Sequence, residues 1–182
     1  MRKFDLRFNP EKCSQVIAQF LKKNNDYWSD HFLKLACYIF DRELIIRGYL
    51  PRCGTSYTYG IRGALHGIAP FEVDDIITNL GSLHSNIDFY FRRSVEDLWY
   101  IELVKDPGDG LLSDFECDLV DQIMHMISEK PLMLLNFQSY EHDYARSNSI
   151  NTLTVEDILR ENGAPDEVYE HFDHCLRMLL PF

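Results

Sequence analysis

Apolar residues recur along most of the chain at intervals of three and four, the spacing that places side chains on one face of a helix. Asn9-Pro10-Glu11 supplies an N-cap, a proline at the first helical position and an acid in the first turn. Cys13, Val16, Ile17, Phe20 and Leu21 then hold the helical period as far as Asn24-Asn25. A second helix is expected from Ser29 or Asp30 to about Arg47, stopped by Gly48 and Pro51. Its middle, Phe32 to Phe40, is apolar on nearly every face, the pattern of a helix enclosed by others. Leu33, Leu35, Cys37, Tyr38 and Phe40 are therefore expected in the core. Lys34 and Asp41 lie two turns apart on one side of this helix. Asp41 is expected to serve structure, through a salt bridge or a hydrogen bond to the turn around Gly48–Gly54.

The pattern changes beyond residue 48. Residues 48–69 hold five of the nine glycines, set around Thr55-Ser56-Tyr57-Thr58-Tyr59, and read as a short strand or an ordered loop. Pro70 then opens a helix with Val73, Ile76, Ile77 and Leu80 on one face. Ile87 to Phe91, the turn Ser94-Val95-Glu96-Asp97 and the aromatic, branched run Leu98 to Val104 read as a β-hairpin, ended by Asp106-Pro107-Gly108-Asp109-Gly110. Ser113-Asp114-Phe115-Glu116 is a capping box, followed at helical spacing by Leu119, Val120, Ile123 and Ile127. Pro131 allows a further helix through about Tyr140. Thr154-Val155-Glu156-Asp157 opens a short one closed by Asn162-Gly163, and Pro165 starts the last, with Val168, Phe172, Leu176 and Leu179 inward. With no repeat or linker visible, the expected fold is α+β: one mostly helical domain over 1–182 with a small β-hairpin.

Composition narrows the function classes more than it names one. The 182 residues are 46% hydrophobic, enough for one core, yet no run approaches the roughly 18–20 apolar residues that span a bilayer. Neither that nor the N-terminal stretch, which has no apolar segment behind its basic residues, suggests a membrane, so a cytoplasmic protein is expected. Five scattered cysteines without a Cys-x-x-Cys spacing fit reduced thiols. The net charge is −11 and unevenly spread: residues 1–50 carry nine Lys/Arg against six Asp/Glu, the remainder nine against 23, and residues 94–130 alone ten acids against two bases. Such a field repels phosphate backbones, so no nucleic acid is expected, while a basic protein partner is attracted.

Motifs that carry chemistry are scarce. Gly60-x-x-Gly63-x-x-x-Gly67 lacks both the phosphate-loop ending and the dinucleotide spacing, and no Gly-x-Ser-x-Gly elbow occurs. His171, His174 and Cys175 share a face of the last helix, but no second ligand pair of zinc-like spacing exists, so no metal, cofactor or catalytic residue is assigned. The constellation given most weight is Tyr57, Tyr59, Arg62 and His66, on or beside the glycine-rich segment, together with His142. Tyrosine and arginine join contact area to a directional polar group, which makes this a candidate partner-binding surface. From another class, the same Tyr59, Arg62, His66 and His142 would have to converge in a pocket for the protein to be a small hydrolase or transferase.

Tyr38-Ile39-Phe40-Asp41-Arg42-Glu43-Leu44, then Gly48 and Pro51, then Tyr57-Thr58-Tyr59-Gly60, resembles the opening of the Panacea domain, the SocA-like antitoxin domain. Leu112-Ser113-x-x-Glu116, Leu134-Leu135 and His142 are similar to the later part of that family, so the resemblance spans about residues 30–145, with C-terminal helices over 153–180 beyond it. The chain departs from the family pattern at Leu35, where a lysine is usual and Lys34 stands one place earlier, and at Ile61-Arg62, where Pro-Val is usual. The resemblance implies a non-enzymatic module that neutralises a protein toxin in a bacterial or phage toxin–antitoxin system, by direct complex formation or as a proteolytic adaptor. Tyr38, Asp41, Arg42, Ser113 and Glu116 are expected to hold its framework.

Overall fold

The structure, a computed structural model, describes residues 8–62, 65–78, 90–97, 99–129 and 139–179. In chain order its elements are α1 (Pro10–Lys23), β1 (Tyr27–Ser29), α2 (Asp30–Ile46), β2 (Ser56–Arg62), β3 (Leu65–Pro70), α3 (Phe71–Thr78), β4 (Phe91–Arg93), β5 (Tyr100–Leu103), α4 (Asp114–Glu129), α5 (Tyr140–Asn148), β6 (Thr152–Thr154), α6 (Val155–Glu161) and α7 (Asp166–Leu179). The fold is α+β and mostly helical.

Local chemistry sets the helix ends. Asn9 accepts from the Lys12 amide at 3.0 Å to cap α1, and Ser29 accepts from Phe32 to cap α2. Gly48, at φ +82°, takes the left-handed conformation that ends the path of α2 without a Cβ clash. Ser113 and Glu116 form the expected box at the start of α4, with Glu116 Oε2 accepting from the Ser113 amide at 2.8 Å. Thr154 and Asp157 form a second box, which opens α6, and Asn162 closes that helix.

Helix α2 is the centre of the core. It is touched by α1, α3, α4, α6, β1 and β3, which explains why so few of its positions are polar. Leu33, Leu35, Cys37, Tyr38 and Phe40 are all buried, as the pattern required. Phe20 of α1 meets Phe40 edge-on at 6.1 Å and Trp28 at 6.2 Å, and Tyr38 meets Tyr57 edge-on at 5.4 Å.

The strands differ from the single hairpin expected. Among the described residues two three-stranded antiparallel sheets form, with orders β1-β5-β4 and β3-β2-β6. Strands β4 and β5 are the expected hairpin in part: Phe91 faces Leu103 and Arg93 faces Ile101, while residues 87–89 lie outside the described residues. The glycine-rich segment becomes a second, longer ribbon, with Tyr57 opposite Pro70 and Arg62 opposite Leu65. The outer strands β1 and β6 have three residues each, too few for alternation to register in a sequence, and exist because distant strands offer them partners. The helix expected from Pro131 to Tyr140 falls almost wholly outside the described residues. Tyr140 opens α5 instead of ending a helix, because Ser139 Oγ accepts from the His142 amide at 3.1 Å and Glu141 and Asp143 occupy the first turn.

Leu35 is 4% exposed in the middle of the enclosed helix. Leu35→Asp should cost roughly 3–5 kcal/mol by placing an unpaired carboxylate there, enough to abolish the cooperative thermal transition followed by circular dichroism. A soluble variant that melts like the parent would show that α2 is not the core helix.

Candidate functional site

Asp41, on the last turns of α2, is completely buried, and its carboxylate accepts hydrogen bonds from four groups. The amides of Arg52 (2.7 Å), Cys53 (3.0 Å) and Gly54 (2.9 Å) donate to it, as does the Tyr57 hydroxyl (3.0 Å). The expected structural role of Asp41 is thus met by hydrogen bonds to the turn after Pro51. Three successive amides pointed at one carboxylate form a small anion nest, here occupied by the protein's own side chain.

The same turn is tied outward to three other helices. Arg52 Nε donates to Glu116 Oε1 at 2.5 Å, and Lys12 Nζ of α1 lies 3.0 Å from Glu116 Oε2, so the capping carboxylate of α4 also anchors the turn and α1. The Thr55 amide and hydroxyl both donate to Glu72 of α3. Cys13 Sγ of α1 donates to the Cys53 carbonyl at 3.7 Å. A Cβ at Gly54 would sit 2.8 Å from both Pro70 Cβ and Glu72 Oε2, which is why glycine stands there. Lys12, Arg52 and Glu72 belong to no sequence motif, and only the fold brings them to one turn.

A second network holds the C-terminal helices. Arg42 Nε lies 3.0 Å from the buried Glu141 Oε1 of α5, and its Nη2 donates at 2.8 Å to Asn162 at the end of α6. Asn162 Nδ2 in turn donates to Glu141. Asp41, Arg42, Ser113 and Glu116 thus take part in these networks, and Tyr38 is buried edge-on to Tyr57.

The expected partner-binding set divides. Tyr57 is a correction: it is fully buried, edge-on to Tyr38, with its hydroxyl engaged by Asp41, and so has no surface to offer. His142 is only 8% exposed, so it is a poor contact residue, although Tyr59 packs edge-on against it at 5.2 Å and is itself half-buried. Arg62 and His66 lie at the far end of the β2–β3 ribbon, in the register pairs Arg62–Leu65 and Ile61–His66. Arg62 is three residues beyond Tyr59 along β2, roughly 10 Å of strand. Their side chains lie outside what the structure describes.

On α7, His171 and His174 are exposed, and the Cys175 side chain lies outside the described residues. Among the described residues no three His, Cys, Asp or Glu side chains are grouped to hold a metal ion. Burial pushes the Cys13 thiol up to about 11 and the Cys37 and Cys53 thiols well above the usual range, so all three are unreactive at neutral pH. No helix among the described residues is long and apolar enough to cross a membrane. Compared with family models, curated proteins and solved structures, the chain finds no match in any of the three.

The two anchoring carboxylates titrate in opposite senses. Burial raises Asp41 from an ordinary 3.8 to about 7, against the pull of its four donors. Burial acts in the same sense on Glu116, but the Ser113 amide, Arg52 and Lys12 outweigh it and hold that carboxyl at about 2, below the ordinary 4.5. The Asp41 contribution is therefore complete below about pH 4 and is lost as pH rises to 7. The Glu116 contribution is complete above 4.5 and is lost as pH falls toward 2.

Urea unfolding of Asp41→Asn should thus gain on the parent between pH 4 and 7, at a slope of up to about 1.4 kcal/mol per pH unit, whatever its absolute stability. The gap between the parent and Glu116→Gln should instead close below pH 4.5; parallel pH profiles would refute both assignments. Gly54→Ala should lower the melting temperature, because Pro70 belongs to the ribbon and cannot retreat without it. A gain in thermal stability at Gly54→Ala would mean the turn is not packed as described.

Proposed function

We propose that this chain is an antitoxin-like binding module that neutralises a cognate protein toxin by direct complex formation in the cytoplasm of a bacterium or in a phage-infected cell. The observation that carries this reading is the meeting of the two Panacea-like segments. Residues 38–60 and 112–116 are far apart in sequence, yet Asp41, the 52–54 turn, Tyr57 and Glu116 form one hydrogen-bonded frame joined through Arg52. That both segments contribute to one network supports the reading.

The frame bears on binding because it fixes the base of the β2–β3 ribbon, which carries Tyr59, Arg62 and His66. A ribbon held at its base loses little conformational freedom when a partner docks, and rigid presentation improves affinity. The acidic face of α4, with Asp114, Asp118 and Asp121 exposed, supplies the field that steers a basic toxin. The framework residues are non-catalytic in this reading, and no cofactor is invoked.

Co-expression with the products of adjacent genes tests it. One of them should arrest growth alone and be harmless, and copurify, when this chain is present. Against that partner, Tyr59→Ala or Arg62→Ala should raise the dissociation rate and cost about 2 kcal/mol of affinity with the domain still folded, and Tyr59→Ala should also lower the melting temperature somewhat because its ring packs against His142. Asp118→Lys should mainly slow association, by an amount that shrinks with added salt. If no neighbour is toxic, neutralisation is refuted. If the neighbour is degraded faster instead of being held, the chain is a proteolytic adaptor.

A further inference from the structure

Asn162-Gly163 is the one Asn-Gly step in the chain. Such a step is chemically short-lived in an open chain, because glycine has no Cβ to hold its backbone nitrogen away from the preceding side-chain carbonyl. Here it stands where α6 ends, with Asn162 half-buried and Gly163 exposed at φ +62°. The fold engages each of the groups that would react. Asn162 Oδ1 accepts from Arg42 Nη2 at 2.8 Å, while its Nδ2 donates to Glu141 and, at 2.7 Å, to the Ile158 carbonyl. The Gly163 N–H, which must give up its proton before the nitrogen can attack, donates to the Arg160 carbonyl at 3.0 Å. Beneath them lies the fully buried Glu141, whose carboxylate also accepts from Arg42 Nε at 3.0 Å. The residue that joins α6 to α2 and α5 is thus the one most open to chemical conversion.

We propose that Asn162 is a deamidation site, closed while the last turn of α6 is seated and open when that turn lifts, and that its conversion prevents the turn from reseating. The Gly163 nitrogen bonds to Asn162 Cγ, the Cγ–Nδ2 bond breaks, and the Gly163 proton leaves with the departing group as ammonia, which gives a five-membered succinimide. Water then opens the ring at either carbonyl, to aspartate or to isoaspartate, so that one water is consumed and one ammonia released. Neither product remakes the network. In place of the Nδ2 donor, the new carboxylate turns an oxygen toward the Glu141 carboxylate and the Ile158 carbonyl, setting acceptor against acceptor at a buried charge. Isoaspartate also lengthens the main chain within the turn that Ala164 N–H closes on the Leu159 carbonyl at 2.9 Å. Helix α6 has only seven residues, and the end of a short helix opens at a small fraction of the cost of global unfolding. The proposal does not rest on the neutralisation reading.

The test incubates the full chain beside a synthetic peptide of residues 158–166 in mildly alkaline buffer and follows aspartate and isoaspartate at position 162 by peptide mass spectrometry. Both products should form in the full chain, at least about tenfold more slowly than in the peptide, because reaction waits on opening. Arg42→Lys keeps the charge facing Glu141 and loses the bond to Asn162, so it should bring the rate toward that of the peptide. Should that variant not fold, the parent in urea below its unfolding transition gives the same reading, with a rate that rises with urea. The deamidated fraction, separated by ion exchange, and Asn162→Asp should each melt roughly 5 °C below the parent by circular dichroism. No product at Asn162 after the peptide has fully converted would overturn the proposal, as would a rate equal to that of the peptide. A deamidated fraction that melts like the parent would also overturn it, since α6 would then have reseated.

Discussion

The carboxylate of Asp41 is the constraint on which the rest of this molecule depends. A charge-bearing group placed wholly inside a protein is costly unless its lone pairs are filled, and here four donors fill them, three of which are consecutive amides of one turn. The turn cannot be shifted by a residue without leaving either the carboxylate or an amide unsatisfied. That fixes the angle at which the chain leaves the core helix, and with it the placement of Tyr57 and the start of the ribbon. Glycine at 54 follows from the same requirement, since the turn must approach Pro70 and Glu72 more closely than a side chain permits.

From that turn the architecture spreads by shared partners. Arg52 carries the connection to Glu116, which caps α4 and receives Lys12 from α1. Arg42, the next residue along α2, points in a different direction and secures α5 and α6 through Glu141 and Asn162. Two adjacent residues of the central helix thus reach different sets of elements. Each network combines burial with charge pairing, so its value lies more in selecting one arrangement than in raw stabilisation.

The aromatic residues divide between interior and surface. Tyr38, Tyr57, Phe20 and Phe40 are interior and serve packing, while Trp99 is exposed although its amide donates to Asp97 and its carbonyl accepts from the Asp30 amide. Tyr57 and Tyr59 differ by two positions on one strand, yet only Tyr57 is enclosed, because the core and the Asp41 nest lie at the strand's beginning. Residue type alone does not distinguish a packing tyrosine from a binding one.

By itself the sequence determined what depends on near neighbours. Asn9-Pro10, Ser113 with Glu116 and Thr154 with Asp157 mark helix starts because a cap needs only residues three apart. The enclosed character of α2 was legible because its apolar residues have no polar face, and the structural role of Asp41 because a carboxylate amid such residues must find donors nearby. What only the tertiary structure decided depends on partners distant in sequence. The three-residue strands β1 and β6 carry no period of their own, and Arg52, Lys12 and Glu72 are unremarkable charges until four elements meet at one turn. The burial of Tyr57 and the exposure of Trp99 belong to the same class, since each is fixed by what the rest of the chain places, or does not place, against the side chain.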